Sequence, residues 1–62
     1  MGWHQIELMI EKQAYKAQFR QVGTLVEVDW NGAKRAYSVG AVRIEVAAAN
    51  GLRRMIAGTP GL

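Results

Sequence analysis

The chain has no cysteine, one histidine and one proline. Without cysteine, neither a disulfide nor a thiolate zinc site can staple the fold. The single histidine, His4, has no second imidazole to share a metal with, and it has no place beside Ser38 as a general base. The single proline, Pro60, lies between Gly58 and Gly61, so residues 58–62 read as a frayed tail rather than a hinge. No interior linker divides the remainder, and residues 1–62 are expected to form one small domain. No apolar run is long enough to cross a membrane, and no signal-peptide pattern is present, so the expected location is the cytoplasm with no membrane partner.

Charge of one sign is also in short supply. Eight Lys and Arg stand against five Asp and Glu, giving a net charge of +3. The cations are scattered through the chain rather than gathered in a tail. That balance permits contact with nucleic acid without implying it. The glycines form neither a G-x-G-x-x-G nor a P-loop pattern. Glu7, Glu11, Glu27 and Glu45 show no spacing that would tune one carboxyl against another. The chain is therefore not expected to be an enzyme, nor to hold a cofactor or metal.

Half of the residues are hydrophobic. They are arranged with a period of two. Ile6, Leu8 and Ile10 alternate with polar neighbours or Met9, and Tyr15, Ala17 and Phe19 do the same. Val26, Val28 and Trp30 follow, then Ala33, Arg35 and Tyr37. Such runs predict half-buried strands. Asn31-Gly32 is a preferred type I′ hairpin pair, because both positions need positive φ. With Lys12-Gln13 and Val22-Gly23 as the other two turns, every apolar parity falls on one side of a four-stranded meander. Ile10 then faces Tyr15, Phe19 faces Val26, and Trp30 faces Ala33. The other side becomes a ladder of charges, with Lys16 and Lys34 flanking Asp29, Gln5 opposite Arg20, and Gln18 between Glu7 and Glu27.

An apolar sheet face needs a cover. In "VRIEVAAANGLRRMIAG", Ile44, Ala48, Gly51, Leu52 and Met55 share one helical face. The fold class expected is therefore α+β: an antiparallel β-meander over residues 4–39, packed against one C-terminal helix at about 43–57. An alternative is a small all-β SH3-like barrel. Val42, Ile44 and Val46 also alternate, and Asn50-Gly51 is a good turn. A helix over 3–21 is a weaker reading, because it forfeits the shared register.

The run "YKAQFRQVGTLVEVDWNGAKRAYSVG" resembles a group of short bacterial proteins built of four strands and a helix. That resemblance implies the fold and no activity. The piece "VEVDWNGAKRAY" is similar to the Trp-containing hairpin of SH3-like barrels, and it implies no site residues.

The function expected is a small non-catalytic binding module, acting through self-association or protein contact. A domain of this size without staples is often completed by oligomerisation. Trp3, Met9 and Leu25 are apolar residues outside the core parity and are candidates for such a contact. The alternative is a nucleic-acid-binding module. It would use Arg53 and Arg54 on a basic helix face together with sheet aromatics. Arg35 has core parity but is charged. It is expected to snorkel out at the sheet edge, stacking on Trp30 or Tyr37, or to contact a partner.

Overall fold

The structure, a computed structural model, describes residues 2–58. Four strands run β1 His4–Ile10, β2 Gln13–Val22, β3 Leu25–Trp30 and β4 Ala33–Ser38, followed by the helix α1 Ile44–Ala57. The strands form one antiparallel sheet in the order β1-β2-β3-β4, and α1 lies on one of its faces. The α+β meander is therefore the fold, and the barrel alternative is not: residues 44–57 form one continuous helix. The frayed tail expected at 58–62 lies outside the described residues except for Gly58.

The β3–β4 register is the expected one, with Trp30 opposite Ala33, Val28 opposite Arg35 and Val26 opposite Tyr37. Its turn has φ of 54° at Asn31 and 82° at Gly32, as a type I′ pair requires. The other two hairpins differ by two residues. Ile10 faces Gln13 and Leu8 faces Tyr15, so the first turn is Glu11-Lys12, with φ of 52° and 68°. Phe19 faces Val28 and Val22 faces Leu25, so the second turn is Gly23-Thr24. Gly23 alone has positive φ there, the pattern of a type II′ turn.

A shift of two keeps every side chain on its own face, so the apolar pattern cannot choose between these registers. Charge favours the observed register of both hairpins, and turn chemistry, through Gly23, favours that of the second. In the expected ladder Arg20 met Gln5, and Gln18 stood between two glutamates. In the observed one Glu7 faces Lys16, Arg20 faces Glu27 and Asp29 faces Lys34. Opposite-charge pairs across neighbouring strands each contribute roughly 0.2–1 kcal/mol.

The core lies between sheet and helix. Val26, Val28, Ala48 and Leu52 are fully buried, and Ala17, Phe19, Ala47, Met55 and Ile56 are nearly so. The expected helical face is the buried one, except that Ile44 is only half-buried. Arg43 caps the helix in an extended conformation without a side-chain hydrogen bond. Glu45 in the first turn and Arg54 in the last complement the helix dipole. The helix ends at Gly58, whose amide donates to the Arg54 carbonyl at 3.0 Å.

The helix leans toward β3 and β4 and covers β1 and β2 less. Pairing between β2 and β3 stops at Gln18–Asp29, while β1 and β2 remain paired to Ile10–Gln13. The β1–β2 hairpin therefore overhangs the β3–β4 hairpin. Leu8, Ile10, Tyr15 and Trp30 lie on the helix side of this region and are only half-buried.

Candidate interaction surfaces

The sheet face away from the helix and the two sheet edges are open, while α1 covers the other face. The face away from the helix carries the charge ladder and most of the misplaced apolar residues. Trp3 immediately precedes β1 and lies on this outer face. The Arg20 guanidinium carbon is 4.6 Å from its ring centroid, and Lys34 Nζ is 5.9 Å away. Arg20 Nε also donates to Glu27 Oε1 at 2.7 Å. Arg20, on β2, thus bridges a tryptophan just before β1 and a glutamate on β3. This cluster was not expected from the sequence. Its signal was the parity that Trp3 shares with Gln5 and Glu7, continued one step before the strand.

The apolar members of this face are separated. Val22 and Leu25 face each other beside the second turn, at 49% and 42% exposure. Met9, at 68%, is the most exposed of the large hydrophobic residues and stands on the overhanging hairpin near the first turn. Trp3, just before β1, and Met9, near its end, are six positions apart on the same face, so they do not form one patch within a single copy. Between them the outer face has an open hollow of about 690 Å³, where the two hairpins part, lined by Gln5, Glu7, Lys16, Gln18, Asp29 and Asn31. Its mixed charge favours neither an anion nor a cation.

The helix side holds the other candidates. Arg35 is exposed on the edge strand β4, opposite Val28. Among the described residues it makes no ion pair or ring stack, so the expected stacking on Trp30 or Tyr37 is absent. Arg53 and Arg54 are both exposed on the helix. Adjacent helical residues diverge by about 100°. Only Arg54 lines the hollow of about 270 Å³ beside Tyr37, Ser38, Val39 and Asn50. Arg53 and Arg54 thus do not share one helix face. The sheet aromatics Tyr15, Phe19, Trp30 and Tyr37 lie under or beside the helix, with Phe19 buried and the rest half-buried. Tyr15 and Trp30 meet edge-on at 6.2 Å.

His4 packs its ring on Phe19 at 5.4 Å, at the helix side of the sheet. No described helix is long and apolar enough to cross a membrane. Compared with known proteins, the chain matches no family model, no curated protein and no solved structure.

Proposed function

We propose that this domain is a non-catalytic binding module that works by self-association or contact with another protein. The observation that carries this reading is the overhanging β1–β2 hairpin. Isolated two-stranded ribbons are marginal in water, and they gain stability from a third strand or a covering surface. This ribbon carries half-exposed Leu8, Ile10 and Tyr15 on one side and Met9 on the other. Val22, Leu25 and Trp3 add apolar area to the outer face. The charge ladder keeps that face soluble and supplies partners for a polar rim.

The test is sedimentation of the native chain across the micromolar range. A mass above that of one chain, rising with concentration, supports the reading. A single-chain mass at every concentration, with no other protein recruited, removes it. Leu25→Lys asks a narrower question: it abolishes association only if the outer face is the contact.

A further inference from the structure

We propose that β1 pairs antiparallel with β1 of a second copy, with Ile6 facing its own counterpart across the two-fold axis. This rests on the self-association reading above and names its surface.

The backbone comes first. Ile10 and Gln13 flank a two-residue turn with positive φ at both positions. In such a hairpin the flanking pair exchanges both hydrogen bonds, and bonded and non-bonded pairs then alternate. His4, Ile6, Leu8 and Ile10 therefore direct their amides and carbonyls at β2. Those of Gln5, Glu7 and Met9 point outward from the sheet edge, where another strand can take them.

The register follows from charge and from the turn. Residues opposite each other in such a pair share a face, so the permitted self-pairings differ by steps of two. Centring the axis on Glu7 sets like charges directly opposite, which is destabilising. Moving the axis to Leu8 sets Gln5 against Glu11, a turn residue with φ of 52°, and the Glu7 carboxylate against the apolar Met9. Moving it to Ile6 removes both faults. Gln5 then faces the second copy's Glu7, an amide against a carboxylate, and it does so twice. Leu8 faces the second copy's His4. Met9, the most exposed large hydrophobe, faces the second copy's Trp3, and thioether–ring contacts are favourable. Within β1 this pairing covers residues 4–8, and Trp3, one step before the strand, extends it toward Met9.

The same register supports the overhang. Each copy's residues 7–9, whose β2 partners have no β3 neighbour, lie along residues 3–5 of the other, beside which the sheet continues through β2, β3 and β4. The other edge, β4, offers the adjacent exposed cations Lys34 and Arg35, the kind of residues that block strand addition. The pairing is isologous and closes at two copies.

The absence of cysteine makes the test clean. Ile6→Cys on the axis occupies a non-hydrogen-bonded pair, where side chains approach most closely. Mild oxidation is expected to convert most of this variant to a covalent dimer, while Leu8→Cys stays largely monomeric on the same non-reducing gel. A second measurement needs no substitution. Amide exchange at Gln5, Glu7 and Met9 is expected to slow at least tenfold between dilute and concentrated native protein. A dimer by sedimentation with no such protection, or with Leu8→Cys cross-linking in place of Ile6→Cys, overturns this pairing and leaves self-association standing. A single-chain mass throughout overturns both.

Discussion

The Tyr37 ring rests on Gly51. A Cβ at position 51 would stand 2.6 Å from Cδ2 and 2.8 Å from Cε2 of Tyr37. Gly51 sits in the middle of α1 and is buried. Glycine there costs roughly 0.8–1 kcal/mol against alanine in intrinsic helix propensity. The close approach of helix to β4 offsets that cost. Gly51→Ala is therefore expected to destabilise despite its better propensity, since overpacking typically costs about 1–3 kcal/mol. In a Tyr37→Ala background the same change is expected to be neutral or stabilising. Urea unfolding of the four proteins of this cycle reads the difference. Equal effects of Gly51→Ala in both backgrounds would show that the ring and the glycine do not interact.

This contact also marks where sequence reading stops. Asn50-Gly51 has the composition of a turn, and the apolar alternation of Val42, Ile44 and Val46 continues the sheet pattern. Ile44, Ala48, Gly51, Leu52 and Met55 also fit one helical face, so the local signals were divided; the need to cover four aligned apolar runs decided for a helix, and that need is a tertiary fact. Strand number, parity and the Asn31-Gly32 turn were legible because a period of two and a φ > 0 pair are local signals. The register of the first two hairpins was not, because shifts of two residues conserve parity. Gly23 was assigned to a turn but at its second central position, whereas positive φ at the first alone is what the turn uses. Of the interaction candidates, Trp3, Met9 and Leu25 do share the outer face. The six-residue gap between Trp3 and Met9 was legible in the sequence, whereas the place of Leu25 beside Val22 depended on register and was not.

The first turn is chemically poor. Glu11 and Lys12 both hold positive φ without being glycine or asparagine. A left-handed conformation costs roughly 1–2 kcal/mol for an ordinary L-residue. Glu11→Asn with Lys12→Gly installs the preferred type I′ pair. The double variant is expected to raise stability by about 0.5–1 kcal/mol, the gain being trimmed by the entropy of the new glycine. Moving the same dipeptide one position on, as Lys12→Asn with Gln13→Gly, is expected to destabilise. Thermal unfolding of the two variants distinguishes the observed turn from its neighbour. A gain only in the second would assign the turn to Lys12-Gln13.

Arg20 holds Trp3 against the outer face while pairing with Glu27. Both partners of the ion pair are partly exposed, at 45% and 30%, so the pair contributes about 0.2–1 kcal/mol and weakens with salt. Arg20→Ala is expected to cost about that much and to free the indole. Emission from Trp3, read in a Trp30→Phe background, is then expected to shift to longer wavelength. An unchanged spectrum would show that Arg20 does not hold the ring.

Stability itself is expected to depend on concentration. Leu52 is fully buried at the centre of the helix–sheet core. Leucine-to-alanine changes at such sites cost about 2–5 kcal/mol. A single core in a domain of this size rarely supplies more than about 3–5 kcal/mol. Leu52→Ala is therefore expected to leave a largely unfolded chain at low micromolar concentration. Association of folded copies adds stability by mass action, so the folded fraction is expected to recover as concentration rises. The native chain is expected to show the same linkage as a melting temperature that climbs with concentration. Circular dichroism over a hundredfold range measures both. A native midpoint independent of concentration would mean that folding is complete within one copy, and that the overhanging hairpin needs no second strand to stand.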